Sequence, residues 1–162
     1  MRDNLMKGSS QLRLTAQDTE DLSVLAATLQ DAILTVGDMV YLEKRNRFAA
    51  VLNRFCWEDT IADDADKSVN GKKQFRRVRT GLHFDGVLSV QSKNIERDRK
   101  DGVLELLTIS HELIDEEGKG EITLIFAGGG SIRLMVECIE ASLSDLTGQW
   151  PTRNLPDHEV SQ

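Results

Sequence analysis

Cysteine is scarce in this chain, and its scarcity excludes two common ways of stabilising or equipping a small protein. The two cysteines, Cys56 and Cys138, lie in apolar segments typical of strands, without a CxxC pair or a histidine cluster nearby. A disulfide scaffold or a zinc site needs several cysteines or histidines at close spacing. We therefore expect two buried thiols, no metal and no other cofactor.

Long apolar runs, aromatic residues and an excess of basic charge are also missing. No run reaches the roughly 20 residues of a transmembrane helix, and the N-terminal segment lacks the apolar core of a signal peptide. Aromatic residues make up 5% of the chain and the formal net charge is -7, so the sequence has few stacking groups and the wrong average sign for a polyanion. These features predict a cytoplasmic protein that binds neither membranes nor nucleic acid.

The length of 162 residues is enough for one domain with a substantial core and too short for two independent ones. The polar residues 1–10 and 151–162 are predicted to be flexible tails, and residues 11–150 to form the domain. Within that domain residues 58–74 have few apolar side chains, and we interpret them as a mobile loop.

The periodicity of apolar residues predicts one helix near the N-terminus, followed by strands. Asp18 or Thr19 can cap a helix, and apolar side chains recur at helical spacing as far as about Ala32. The later segments alternate with a period of two, which is typical of antiparallel strands. A short alternating segment at Gln11–Thr15 precedes the helix. The strands predicted after the helix are Met39–Glu43 and Phe48–Trp57 in a hairpin, Phe75–Gln91 with a bend at Gly86, and a meander over Val103–Leu113, Glu121–Phe126 and Ile132–Cys138. The spacing in Ile139–Leu146 predicts a short closing helix.

Three consecutive glycines, Gly128 to Gly130, separate the last two strands of the meander. A phosphate-binding loop would need a helix and a Gly-Lys-Ser/Thr sequence after the glycines, whereas a strand pattern follows here. Glycine adopts positive φ without steric cost, as tight hairpin turns require. We therefore predict a hairpin turn with at least one glycine at positive φ, which sets strand register and binds no ligand.

Together these elements predict an α+β domain. The N-terminal helix packs on a curved antiparallel sheet of about seven or eight strands, shaped as a roll or barrel, with a short C-terminal helix. The alternative is a seven-stranded barrel of the pleckstrin-homology type, plugged by its last helix.

Residues 72–79 carry the strongest local charge in the sequence, because five of these eight residues are cations. Strand alternation places two of the arginines and a following histidine on one face, where they have the chemistry to hold a phosphate or carboxylate. A solvated strand face, with its cations paired to carboxylates, is the simpler interpretation. The candidate ligand-binding residues are Arg77, Arg79 and His83, with Asn53 and Trp57 from the neighbouring strand.

Four separated blocks of the sequence, in order, resemble one family of small bacterial proteins. The blocks are LTAQDTEDLSVLAATLQDAI, GDMVYLEKRNRFAAVLNRFCWE, LHFDGVLSV and FAGGGSIRLMVECIEASLSDL. The family, found mostly in alphaproteobacteria, is known as domain of unknown function 2948, and the resemblance extends from about Leu12 to Pro156. It implies no activity, cofactor or catalytic residue, because none is assigned to the family.

The residues thus favour binding over catalysis. The sequence contains no metal-ligand cluster, nucleophile motif or dinucleotide fingerprint from which a reaction could be argued. We expect a non-catalytic module that binds an unknown protein partner or associates with itself. The alternative is a binding protein or enzyme for a small anionic metabolite, which would use the face of Arg77, Arg79 and His83.

Overall fold

The computed structural model describes residues 12–56, 76–146 and 150–151. These ranges contain one α-helix, α1 (Thr19–Thr28), and eleven strands. The strands are β1 (Arg13–Ala16), β2 (Ile33–Thr35), β3 (Met39–Leu42), β4 (Arg47–Phe55), β5 (Arg76–Asp85), β6 (Val87–Lys93), β7 (Val103–Leu113), β8 (Gly120–Phe126), β9 (Ser131–Val136), β10 (Ala141–Asp145) and β11 (Trp150–Pro151). The predicted loop at 58–74 and, apart from Pro151, both predicted tails lie outside the described residues.

Helix α1 begins where the sequence predicts. The Asp18 carboxylate accepts a hydrogen bond from the backbone N–H of Asp21 at 2.8 Å, which satisfies one of the unpaired donors of the first turn. The helix ends at Thr28, before the predicted end at Ala32, and Asp31 with a φ of 68° leads the chain into β2. The residues that α1 buries are Leu22, Leu25 and Ala26.

The strands form one path of hydrogen-bonded neighbours in the order β1, β10, β5, β4, β2, β7, β8, β9, β6. In addition, β3 pairs with the first half of β4, and β11 with the start of β5. Every described pairing is antiparallel, so the predicted α+β class with an antiparallel sheet is confirmed. The path ends at β1 and β6 and does not close, so it is not a seven-stranded barrel.

The predicted count of seven or eight strands is wrong because bends divide the chain into shorter pieces. Gly86 takes a φ of 70° and splits the predicted strand Phe75–Gln91 into β5 and β6. Strand β1 lies close to the predicted alternating segment Gln11–Thr15, whereas β2 was not predicted. Backbone pairing with the long strands β4 and β7 stabilises β2, which is too short to show a periodicity of its own.

The predicted C-terminal helix at Ile139–Leu146 is also wrong, because Ala141–Asp145 form strand β10 between β1 and β5. Ala141, Leu143 and Asp145 face inward, and the serines between them are half-buried. Over so short a segment, helical spacing and strand alternation select overlapping sets of apolar residues. Hydrogen bonding to strands on both sides decides in favour of the strand.

One apolar core is formed by side chains of α1 and of the strands along the path from β1 to β6. Alternation is strict in β4 and β8, where every second residue is buried. In β4 the inward residues include Phe48, Ala50 and Leu52. This inward and outward division determines which side chains of the sheet can contact a ligand.

The glycine turn joins β8 to β9, and the prediction of a hairpin is confirmed. Gly128 and Gly129 have φ angles of 91° and 100°. Gly130 has no positive φ, but it packs closely: a Cβ there would lie 3.0 Å from Cγ1 of Ile95. Gly128 and Gly129 are therefore explained by their backbone conformation, and Gly130 by its close packing.

We predict that Gly128→Val lowers the free energy of unfolding by about 1–3 kcal/mol, because a β-branched residue is strained at positive φ. An added Cβ at Gly128 would meet no atom within 4 Å, so the loss comes from the backbone and not from a clash. Urea denaturation measures the effect. The control Gly128→Asn should cost less, since asparagine tolerates left-handed backbone; equal costs would contradict the explanation.

Candidate functional site

Arg77, Arg79 and His83 lie on the outward face of β5, because the residues between them at even-numbered positions are buried. With a rise of about 3.3 Å per residue, the backbones of Arg77 and His83 are roughly 20 Å apart. Gly81 stands between Arg79 and His83 and contributes no side chain. The structure thus brings the two arginines together and places the histidine farther along the strand.

The guanidinium of Arg77 is held in place by its neighbours. It lies 3.8 Å from the centroid of the Phe55 ring, and its Nη1 donates a hydrogen bond to the Asn53 carbonyl at 3.1 Å. Burial lowers the pKa of Arg77 below the ordinary arginine value, while the carboxylates of Glu105 and Asp31 oppose that shift. The side chain is therefore oriented, and its charge is partly balanced.

Arg79 is the more accessible cation of this face. It lies directly opposite Asn53 in the register of β4 and β5, and its side chain is exposed. Within the described ranges it forms no ion pair. Trp57, the remaining predicted site residue, lies outside the described residues.

His83 belongs to a separate cluster near the end of β5. Its Nδ1 lies 3.4 Å from Asp85 Oδ2, but the two atoms do not have the alignment of a hydrogen bond, and Nδ1 is enclosed. Asp85 instead accepts a 2.7 Å hydrogen bond from Nε of Arg47. The carboxylate of Asp85 is therefore already paired with a cation from the neighbouring strand β4.

A buried polar cluster inside the sheet was not predicted. Arg54 donates from Nε and Nη2 to the two carboxylate oxygens of Asp145, each at 3.0 Å, and both side chains are 1% exposed. Thr80 Oγ1 donates to Asp145 Oδ1 at 2.9 Å, and the Leu12 N–H donates to Oδ2 at 2.9 Å. The cluster joins β4, β5, β10 and the chain entering β1.

One signal for this cluster was present in the sequence. Alternation in β4 places Arg54 on the inward face with Phe48 and Leu52, and an arginine there needs a buried partner. Its partner is 91 residues away, in the segment for which a helix is predicted. Because its polar groups bind one another and are closed to solvent, we assign the cluster a structural role.

A cavity of about 410 Å³ opens between β3, β6 and the loop that follows β6. Its floor includes Phe48 and Ile132, which are 3% exposed, and the hydroxyl of Tyr41 in its wall donates to the Val87 carbonyl at 2.8 Å. The remaining lining residues are Val36, Met39, Val40, Val90, Ser92, Ile95, Arg97 and Lys100. The cavity is therefore mainly apolar, with two cations from one loop.

The second half of β7 forms an edge of the described sheet. β2 pairs with Val103–Glu105, and the bonding on this side ends at Leu106, whose C=O accepts from the Asp31 N–H and whose N–H donates to the Ala32 carbonyl. From Thr108 to Leu113, β8 is the one partner strand among the described residues. Helix α1 lies beside this edge, and the groove between them is lined by Ser23, Ala26, Ala27, Gln30, Leu107, Thr108 and Ile109.

Cys56 is buried as predicted, whereas the prediction for Cys138 is wrong because this thiol is exposed. Cys138 lies two residues beyond the end of β9, in the bend that leads to β10, so the alternation that would have buried it has already ended. Across residues 12–56, 76–146 and 150–151, no group of three metal-ligating side chains stands together. No helix in these ranges has the length and apolar character needed to cross a membrane.

Comparison with protein families gives one match. A family model described as protein of unknown function (DUF2948) matches residues 12–158. Neither a curated protein nor a solved structure matches the chain. The match covers all described strands and agrees with the resemblance seen in the four sequence blocks.

We predict that Asp145→Ala lowers the free energy of unfolding by about 3–5 kcal/mol, because it removes the carboxylate from a buried charge pair. Equilibrium denaturation in urea measures the change. The double variant Arg54→Met/Asp145→Leu should recover most of this stability, since apolar replacement of both charges leaves no buried ion without its counter-ion.

Asp85→Ala is the matched control, because Asp85 also pairs with an arginine but its side chain is 26% exposed. Removing a pair that is partly open to solvent should cost about 1 kcal/mol. Similar losses for Asp85→Ala and Asp145→Ala would show that burial does not determine the importance of the inner pair.

Proposed function

The chain belongs to the family described as protein of unknown function (DUF2948), and we propose that it is a non-catalytic binding module that recognises a protein partner. The observation that supports this proposal is the edge presented by the second half of β7 beside helix α1. An extended segment of a partner would add one strand to this edge. Main-chain hydrogen bonds would supply affinity, and the groove would select side chains.

The backbone of this edge suits strand addition. In a strand that is paired on one side, the N–H and C=O groups of alternate residues point away from the partner. Proteins often protect such edges with lysine or proline, and residues 107–113, LTISHEL, contain neither. The length from Thr108 to Leu113 is enough for several inter-strand hydrogen bonds.

Apolar side chains around the edge support the same proposal. Leu107, Leu113 and Ile114 are 43%, 60% and 51% exposed, and Val24 on α1 is 55% exposed. Scattered exposed leucines are ordinary, but these four flank one strand and one helix that lie side by side. A partner segment with small apolar side chains would cover them, and a second copy of this chain is the alternative occupant.

We predict that Leu107→Lys reduces capture of the partner from the native host's lysate by tenfold or more at modest ionic strength. A lysine on the edge would carry its charge into the new strand pairing. Affinity capture with quantitative mass spectrometry measures recovery, and light scattering of the pure protein shows whether the captured chain is a second copy.

The matched control is Leu88→Lys on β6, because Leu88 is 40% exposed and also stands at a strand bulge. It should leave capture unchanged. Both variants replace surface residues, so their denaturation midpoints should stay close to that of the parent. Loss of capture with Leu88→Lys and not with Leu107→Lys would refute the assignment to β7.

A small anion on the outward face of β5 is the second candidate function. Three of the predicted site residues lie close to one another. Arg79 is exposed, Asn53 lies directly opposite it, and Arg77 is held by the Phe55 ring. A phosphate or carboxylate there would accept charge-assisted hydrogen bonds from one or both guanidinium groups. His83 would contact only a longer ligand, because of its separation along the strand.

We predict that, if this second function operates, phosphate or citrate raises the thermal midpoint of the parent protein and Arg79→Ala removes that increase. A thermal-shift titration measures both. The control Arg45→Ala replaces an exposed arginine away from β5 and should keep the increase. An unchanged response in Arg79→Ala would show that the arginines of this face are solvated surface groups.

A further inference from the structure

The wall of the cavity between β3 and β6 combines two chemical features. Its floor is formed by buried or half-buried apolar side chains, among them Phe48, Val90 and Ile132. Arg97 and Lys100, both exposed, are the charged lining residues and come from the same loop. The volume of about 410 Å³ falls within the usual range of small-molecule sites, roughly 300–1,000 Å³.

The end of this loop nearer Lys100 is held by backbone hydrogen bonds. The Gly37 N–H donates to the Lys100 carbonyl at 2.8 Å, and the Val36 N–H donates to the Gly102 carbonyl at 2.9 Å. The absence of a Cβ at Gly37 favours this approach, because a Cβ there would lie 3.1 Å from the Lys100 oxygen. The backbone that carries Lys100 is thus placed before any ligand arrives.

The other end of the loop is held by the glycine turn between β8 and β9. Asn94, at a φ of 60°, donates from Nδ2 to the Gly129 carbonyl at 3.3 Å. Ile95 packs closely over Gly130, so that a Cβ there would lie 3.0 Å from Cγ1 of Ile95, and Ile95 forms part of the cavity wall. The turn predicted to set strand register therefore also supports this wall.

We propose that the cavity binds a small amphipathic carboxylate, with its apolar body against the floor and its carboxylate beside Arg97 and Lys100. A multiply charged metabolite fits poorly, because most of the wall offers no partner to a charge. An uncharged apolar molecule would leave the two cations unused. This proposal goes beyond recognition of a protein at β7, since it concerns a different surface and a different class of ligand.

The acidic residues of the loop do not cancel this preference. Glu96 lies 3.6 Å from Arg99, with which it forms an ion pair, and neither residue lines the cavity. Asp98 and Asp101 are likewise not lining residues. Neither Arg97 nor Lys100 forms an ion pair within the described ranges. Both cations are therefore available to a ligand carboxylate.

The probe is octanoate, titrated into the full chain by isothermal calorimetry, with 1-octanol as the uncharged analogue. We expect saturable binding of octanoate with one site per chain and weaker binding of 1-octanol. Amide chemical shifts should move most in β3, β6 and residues 94–102. Absence of octanoate binding up to millimolar concentration, or shifts confined to another surface, would overturn the proposal.

Two pairs of variants separate the apolar and charged parts of the site. Val90→Trp places a large ring in the cavity and should abolish binding, whereas Gln91→Trp, on the opposite face of β6, should bind like the parent. Far-UV circular dichroism checks that both variants fold. If Val90→Trp fails to fold, the variants of the exposed loop still decide the question. Full affinity in a folded Val90→Trp would overturn the proposal.

Arg97→Ala/Lys100→Ala should weaken octanoate binding by about five- to tenfold, the scale expected from two solvent-exposed charge contacts, and leave 1-octanol binding unchanged. Arg99→Ala removes a cation from the same loop without touching the cavity, so it should have no effect. Equal weakening by Arg99→Ala, or equal loss of octanoate and 1-octanol binding, would refute the role assigned to the two cations.

Discussion

The arrangement of β4, β5 and β10 depends on the bidentate ion pair between Arg54 and Asp145. It lies between strands that are 91 residues apart in sequence, and both side chains are closed to solvent. A buried pair of charges is tolerated only when its hydrogen-bonding capacity is met, and here Thr80 and the Leu12 backbone supply further bonds. The pair thus specifies that β10 lies against β5, with Asp145 turned inward.

The position of β10 has consequences on both sides of the sheet. β10 pairs with residues 80–84 of β5, so the part of β5 that carries His83 has strand neighbours on both sides. On the inward side, Leu143 joins the apolar core. A closing helix at the same place would have left β5 without this neighbour, and the polar cluster could not have formed.

The two surfaces for which we propose binding, the edge of β7 and the cavity between β3 and β6, lie away from the Arg54–Asp145 pair. The edge of β7 exists because β2 is much shorter than β7 and its side of the pairing ends at Leu106, and the cavity is bordered by the loop after β6, which is tied to the glycine turn and to Gly37. Both are places where regular pairing stops. Loops and edges held by a well-packed scaffold commonly carry binding functions, since their backbone groups are not all used in the sheet.

Local patterns in the sequence predicted much of the fold. The cap at Asp18, the hairpin of β3 and β4, the bend at Gly86, the alternating faces of β4 and β5 and the glycine turn depend on interactions between residues close in sequence. Such interactions are determined by side-chain periodicity and backbone preference alone. The same alternation placed Arg77, Arg79 and His83 on one face, although it carried no information about the distance between them.

Sequence by itself therefore determined the class of the domain, its first helix, its turns and the inward or outward position of many side chains. Tertiary structure alone decided that residues 141–145 form a strand, that Arg54 meets Asp145, and that Arg97 and Lys100 stand beside an apolar cavity. These features join segments that are distant in the chain. The free energy that selects them comes from backbone pairing, burial and charge contacts between those segments, which no local pattern contains.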